Sequence, residues 1–295
     1  MNGMIFKGVV TALLTPFKNG GLDEDALRRH IRFQIEGGVQ AVLPCGTTGE
    51  SPTLTHDEHK RVVSITVEEC RGKIKVLAGA GSNSTLEAID LARHAQSVGA
   101  DGLLMVTPYY NKPTQEGLFL HYEAIAKKTD LPILLYNIPG RCGINILPET
   151  IARMAKEIPA IVGVKEATGD LNQMIRTIEL CGPDFLVTCG DDGLTLPLLA
   201  VGGGGVISVA SNLIPRPMVD MWEAWQAGDV AKTRTLFYKM LPLFKALFIE
   251  ANPIPAKASM ALAGHMEPEM RLPMCPPQPG TMDKLKPILA QWGLI

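Results

Sequence analysis

Short apolar runs alternate with amphipathic stretches along most of the chain. Eight runs have the length and near-continuous apolar character of buried strands: GVVTALL (8–14), QAVLPCG (40–46), IKVLAGA (74–80), DGLLMVTP (101–108), PILLYNIP (132–139), AIVGVKEAT (160–168), FLVTCGDD (185–192) and GGVISVASN (204–212). Helix-like segments lie between them. DEDALRRHIRFQIEGG opens with acids and closes on glycine, and THDEHKRVVSITVEEC opens with Thr55 and Glu58 at capping-box spacing. STLEAIDLARHAQSVGA closes at Gly99, and TQEGLFLHYEAIAKKT closes on two lysines, where the helix dipole favours cations.

Strand and helix in alternation predict parallel strands joined by right-handed crossovers. Eight such units predict an α/β chain, a closed (β/α)8 TIM barrel over residues 1–214. An open doubly wound sheet is the alternative, but LLTPFKNGG after the first run is not its GxGxxG fingerprint. From about 215 to 265 the pattern is helical only, with Trp222, Trp225, Phe237, Tyr238, Leu241, Phe244 and Phe248 at helical spacings, predicted to pack onto the barrel. PMCPPQP (273–279) reads as a stiff connector and 281–292 as a last helix, so 215–295 is expected to hold the last barrel helix and a C-terminal helical extension.

Composition narrows the classes. With 46% hydrophobic and 20% charged residues, a chain of 295 residues can bury a sizeable core. A net charge of -2 gives no reason to expect nucleic acid or a membrane surface as partner. The opening MNGMIFKGVVTALLTPF has no long apolar stretch before Pro16 and reads as a first strand rather than a signal peptide. No run approaches the roughly 18 apolar residues of a membrane span. Six cysteines without a CxxC read as reduced, mostly buried thiols of a cytoplasmic protein, and six histidines show no zinc spacing, so no metal is expected.

Barrels of this type carry their chemistry at the C-terminal ends of the strands. Those ends read GTTGES, TPYYNKP, YNIPGR, KEATGD, CGDD and SVASN. Lys165 ends a buried run. It can be an ion-paired lysine or a Schiff-base nucleophile, since burial disfavours the ammonium and frees the amine. Tyr136, ending the neighbouring run, can be a packed tyrosine or a proton carrier. Thr47 and Thr48, between glycines, offer hydroxyls and backbone N–H groups to a small carboxylate. Arg141 offers a bidentate grip on a second carboxylate. Together they point to a 2-oxo acid held as a Schiff base, turned into an enamine and added to an aldehyde.

The strings GTTGES, TPYYNKPTQEGL, YNIPGR, GVKEATGD and GVISV resemble the pyruvate-dependent class I aldolases, the family of dihydrodipicolinate synthase and N-acetylneuraminate lyase. The likeness runs nearly end to end, through LFIEANPIPAKASM and RLPM, and is greatest to the synthase branch. That resemblance implies a lyase with no cofactor, in which Lys165 binds pyruvate covalently. Tyr136, Thr48 and the partner subunit's Tyr110 would form a proton relay. Thr47 and Thr48 would hold the pyruvate carboxylate, Arg141 would hold that of L-aspartate-4-semialdehyde, and Gly190 and Ile207 would act through backbone near the pocket. The product would be 4-hydroxy-tetrahydrodipicolinate, the first committed intermediate of lysine biosynthesis by the diaminopimelate route. A homotetramer built as a dimer of dimers is implied. So is feedback inhibition by L-lysine at Ser51, His56, His59, Asn83, Glu87 and Tyr109, with the two histidines one helical step apart. The chain departs from the family at Cys142 (threonine expected), at Pro52 (a small residue expected) and at GGGGVISV, where a histidine-containing turn is usual.

Other readings meet obstacles. A sugar-acid lyase should lack an arginine just beyond YNIP, where a long polyol must pass. A pyridoxal phosphate enzyme would set its phosphate near Asp191 and Asp192, which repel it. A non-catalytic small-acid sensor would not need Lys165, Tyr136 and Thr48 together.

Overall fold

The computed structural model describes residues 3–295. Eight parallel strands close into a barrel: β1 (Gly8–Ala12), β4 (Ala41–Leu43), β5 (Lys75–Gly79), β6 (Gly102–Val106), β7 (Ile133–Asn137), β8 (Ile161–Glu166), β9 (Leu186–Cys189) and β10 (Gly205–Ser208), ordered β1-β10-β9-β8-β7-β6-β5-β4. Each lies inside one of the eight apolar runs, and each strand neighbours the next in sequence. This is the (β/α)8 TIM barrel, with helices continuing to the C-terminus. The strands are mostly apolar and almost wholly buried because they are covered on both faces, as parallel strands are.

Local signals set the helix starts. Asp23 caps α1 (Glu24–Glu36) by accepting from the Ala26 N–H, and Thr55 and Glu58 form the full capping box of α2 (His56–Cys70). Ser84 caps α3 (Thr85–Val98), which stops at Gly99 in the left-handed conformation, φ +93°. Helix α4 (Gln115–Ala126) ends before the two lysines, and Lys127 is its C-cap. The last helix, α12 (Pro279–Gln291), starts earlier than expected because Pro279 occupies its first turn, where a missing N–H costs nothing.

Packing contacts group the chain into two compact units that cut across the expected division at 214/215. One unit runs up to Gly8 and over Lys75–Ile207. It holds β5 to β10, with β6, β7, β8 and β9 in continuous parallel register. The other comprises Val9–Ile74 and Ser208–Ile295. There β1 pairs with β4, Thr11 opposite Val42. Behind β1, Asn212 donates to the Ala12 carbonyl, while its Oδ1 accepts from the Leu14 N–H and meets His30 Nε2 at 2.8 Å.

This second unit contains a hairpin absent from the strand pattern. Strands β2 (Phe17–Lys18) and β3 (Gly21–Leu22) are joined by Asn19 and Gly20 at φ +55° and +81°. Asn-Gly is the sequence that such a two-residue turn demands, so PFKNGG carried its own signal. The aromatic stripe is only partly core. On α9 (Pro215–Gln226) and α10 (Val230–Ala246), Trp222, Phe237 and Phe244 are buried, together with Met240 and Leu243. Tyr238, 62% exposed, lies about 100° round α10 from the buried Phe237, and Phe248, just beyond the end of α10, also faces out.

Candidate active site

Strands β7 and β8 run in register with Tyr136 opposite Lys165 and Asn137 opposite Glu166. Side chains alternate between faces along a strand, so the two pairs form separately. On one face, Lys165 Nζ lies 4.3 Å from the centroid of the Tyr136 ring. Both residues are only 5% exposed. A buried primary amine beside a phenol is an arrangement that can serve nucleophilic and proton-transfer chemistry.

The other face locks these strand ends together. The Glu166 carboxylate is fully buried. It accepts from Asn137 Nδ2 at 3.2 and 3.3 Å, Gln173 Nε2 at 3.1 Å and the Thr168 N–H at 3.1 Å. Burial pushes its pKa up, and the hydrogen bonds from Asn137, Gln173 and Thr168 pull the other way. Asn137 also donates to Asn145 Oδ1 at 2.7 Å and accepts from the Ile146 N–H at 3.1 Å. That closes the loop 138–146, which carries Arg141 on the short helix α5 (Pro139–Cys142). Arg141 itself is exposed, and Cys142 turns inward, its thiol pKa raised by burial. None of Asn137, Asn145, Glu166 and Gln173 is among the residues expected from sequence. The available signal was a glutamate directly after Lys165 at the end of a buried run.

Gly190, just beyond β9, donates its N–H to the Glu166 carbonyl at 2.8 Å. A Cβ at this position would stand 2.6 Å from the Ala167 Cβ and 3.1 Å from Lys165 Cε. Glycine leaves the space that the lysine side chain occupies. Ile207 is buried in β10.

In the same unit, the loops after β5 and β6 are tied together. Asn83 Nδ2 donates to the Tyr109 carbonyl at 3.2 Å, and Asn111 Nδ2 donates to the Asn83 carbonyl at 2.9 Å. Glu87 accepts from Ser82 Oγ at 2.7 Å. The next residue, Tyr110, is 90% exposed and held at φ +73°, a conformation uncommon for a bulky side chain.

The other unit holds the threonine turn. Gly46 and Thr47 accept from the Gly49 and Glu50 N–H groups, each at 3.1 Å. Thr48 is 2% exposed, and its Oγ1 accepts from Asn252 Nδ2 at 3.0 Å. Non-glycine residues at positive φ bracket the turn, Cys45 at +55° and Glu50 at +53°. Such conformations cost on the order of 1–3 kcal/mol each and need support from their surroundings. Glu50 has it: its carboxylate pairs with the fully buried Lys257 at 2.6 Å and accepts from the Arg271 N–H at 3.1 Å. Lys257 Nζ and the Arg271 guanidinium carbon lie 4.0 and 4.3 Å from the Phe17 ring centroid. The hairpin therefore supplies an aromatic ring to the charge cluster that steadies the turn. Ser51 follows the turn. Of the two histidines on α2, His56 is exposed and His59 is buried. Among the described residues no group of three or more His, Cys, Asp or Glu could hold a metal ion, and no helix is long and apolar enough to cross a membrane.

Known proteins resemble this chain over nearly their full lengths. A 4-hydroxy-tetrahydrodipicolinate synthase of Nitratidesulfovibrio vulgaris is 55% identical over 99% of this chain and 100% of its own. The crystal structure of dihydrodipicolinate synthase from Thermotoga maritima superposes with a TM-score of 0.96 at 49% identity, covering 99% of this chain and 100% of that one. That of the Cyanidioschyzon merolae enzyme with lysine bound gives 0.95 at 43% identity, covering 99% of each. The dihydrodipicolinate synthetase family matches residues 5–292, a span that takes in the amine–phenol pair, the threonine turn and the helices behind it, and the chain belongs to that family.

Proposed function

We infer that this chain is a lyase that condenses pyruvate with L-aspartate-4-semialdehyde to give 4-hydroxy-tetrahydrodipicolinate, the first committed step of lysine biosynthesis. The observation that carries the reading is the buried Lys165 amine against the Tyr136 ring in a member of this family. The amine attacks the pyruvate carbonyl and expels water, leaving an iminium. Loss of a methyl proton gives the enamine, whose carbon adds to the aldehyde. The amino group of the semialdehyde then attacks the iminium carbon, closes the ring and releases Lys165, for a net loss of one water.

Tyr136 carries protons in these steps with Thr48 and the partner subunit's Tyr110. The hydroxyls of Thr47 and Thr48 hold the pyruvate carboxylate, and Arg141 pairs with that of the semialdehyde. Gly190 and Ile207 shape the pocket through backbone. The exposure and strain of Tyr110 support its use by a neighbour, and we take the assembly to be a homotetramer made of two tight dimers. L-Lysine acts as feedback inhibitor through Ser51, His56, His59, Asn83, Glu87 and Tyr109. The lysine-bound relative and the tie between Asn83 and Tyr109 favour this. All six cysteines are free thiols, which suits the cytoplasm.

Borohydride trapping tests the central claim. Pyruvate with borohydride should inactivate the protein and leave a 1-carboxyethyl group on the amine of the peptide containing Lys165. Undiminished labelling of a Lys165→Ala variant would remove the Schiff base from Lys165.

A further inference from the structure

We propose that Glu166 is a positioning residue for the second substrate: its buried carboxylate sets how the loop 138–146 is held, and with it the place of Arg141. The inference rests on the reading of Arg141 as the grip on the semialdehyde and adds what keeps that grip in place. An ionised carboxylate can only accept hydrogen bonds. Fully buried, Glu166 therefore fixes which end of each neighbouring amide faces it. Asn137 turns its Nδ2 to the carboxylate at 3.2 and 3.3 Å, and Gln173 turns its Nε2 at 3.1 Å. The oxygens of both amides are thereby aimed at the loop. Asn137 Oδ1 accepts from the Ile146 N–H at 3.1 Å, and Gln173 Oε1 accepts from Asn145 Nδ2 at 2.7 Å. One charge sets the direction of both loop bonds.

Lys165, one position earlier, depends on other bonds. Its strand end is held by the barrel ladder, with Lys165 paired to Tyr136 and Thr188. Beyond it the Ala167 N–H donates to the Asn137 carbonyl at 2.9 Å, and the Gly190 N–H donates to the Glu166 carbonyl at 2.8 Å. None of these bonds uses the Glu166 side chain. The loop is held differently. The Arg141 and Cys142 N–H groups both donate to the Ile138 carbonyl at 3.0 Å, and the Gly143 N–H donates to the Pro139 carbonyl at 2.9 Å. Those bonds shape α5 but do not fasten it to the strands. The amides on Glu166 fasten the loop at 145–146, joined there by Gln115, whose Nε2 donates to the Asn145 carbonyl at 2.9 Å. At Glu166 the backbone thus steadies the amine that takes pyruvate, while the side chain steadies the loop that carries Arg141.

That division makes the proposal testable. Glu166→Gln keeps the size but gives one end of the group hydrogens of its own, so that an amide must turn over and set its NH2 against a loop donor. In the full-length protein, kcat/KM for L-aspartate-4-semialdehyde should fall about tenfold, the scale of one misdirected buried hydrogen bond. The kcat/KM for pyruvate and the rate of borohydride trapping on Lys165 should stay within about twofold of wild type, because a covalent intermediate divides the reaction into halves that are read separately. Added to Arg141→Ala, Glu166→Gln should lower the semialdehyde constant by less than about twofold further, since residues acting through one another are not additive. A merely structural glutamate would lower both constants together and multiply its loss with that of Arg141→Ala. Thermal unfolding reports whether each variant is folded. If Glu166→Gln does not fold, the half-buried Gln173→Met, which removes the bond to Asn145, takes its place with the same split expected. A wild-type semialdehyde constant, equal losses in both constants, or multiplied losses in the double variant overturns the proposal and leaves the Arg141 reading standing. Unchanged semialdehyde kinetics in Arg141→Ala overturns that reading and the proposal with it.

Discussion

A Cβ placed on Gly190 would come within 3.1 Å of Lys165 Cε. The glycine after β9 thus leaves room for the Lys165 side chain. The same Cβ meets Ala167 Cβ at 2.6 Å and the Glu166 carbonyl oxygen at 3.1 Å, so a methyl group cannot be absorbed by moving one flexible side chain. Gly190→Ala should cost on the order of 1–3 kcal/mol of stability through overpacking and slow Schiff-base formation more than it raises the KM for the semialdehyde. Rapid-quench borohydride trapping and a denaturant midpoint measure both. Trapping at the wild-type rate would show that Lys165 does not need this space.

A variant at Arg141 should separate the two substrates. Arg141→Ala should leave pyruvate labelling nearly intact and reduce kcat/KM for L-aspartate-4-semialdehyde by an amount worth about 1.5–3 kcal/mol, the scale of a hydrogen bond to a charged group. Unchanged semialdehyde kinetics would assign the carboxylate to another residue.

The exposed Tyr110 predicts complementation between subunits. Tyr110→Phe and Lys165→Ala proteins should each be nearly inactive. Mixed, dissociated and reassociated, they should recover about a quarter of wild-type activity, because half the two-fold dimers are mixed and each of those rebuilds one site. Failure to recover any activity from verified mixed dimers would place Tyr110 outside the neighbouring site.

L-Lysine should inhibit without being displaced by pyruvate, with a coupling of about 1–3 kcal/mol. The ratio of rates with and without millimolar L-lysine should approach one in Glu87→Ala and Tyr109→Ala. Equal inhibition in wild type and Glu87→Ala would move the effector elsewhere.

Acid should weaken the fold in two steps. Burial lowers His30 and His121 from 6.5 to about 4, so between those pH values the unfolded chain takes up protons that the folded chain refuses. Their contribution is fully present above about pH 6.5 and is lost as pH falls toward 4. Glu58 is held at about 2 by its hydrogen bonds from Arg271, so its contribution is present above 4.5 and is lost between 4.5 and 2. Urea midpoints followed from pH 7 to 4 should decline, and His30→Gln should flatten that decline. A midpoint independent of pH over the upper range would contradict the burial of neutral histidines.

The amino-acid sequence by itself determined the barrel and marked out candidate reactive groups at its strand ends. Eight apolar runs at regular spacing admit one simple closure, because buried parallel strands must be apolar on both faces and their helices on one. Thr55 with Glu58 and Ser84 with Gly99 set their helix ends through bonds made within a few residues, so local chemistry sufficed. Lys165 and Tyr136 were legible for the same reason, each a polar side chain ending an apolar run. The tertiary structure alone decided what holds these groups in place. Glu166 could not be seen as the acceptor shared by Asn137 and Gln173, nor Glu50 as the partner of Lys257, 207 positions away, because neither pairing leaves a periodicity in the chain. Which residues of the α10 stripe face water was likewise settled by the angle at which the helix packs. Asn252 is the clearest instance. In sequence it simply precedes a proline, and only folding brings its amide to within 3.0 Å of the Thr48 hydroxyl.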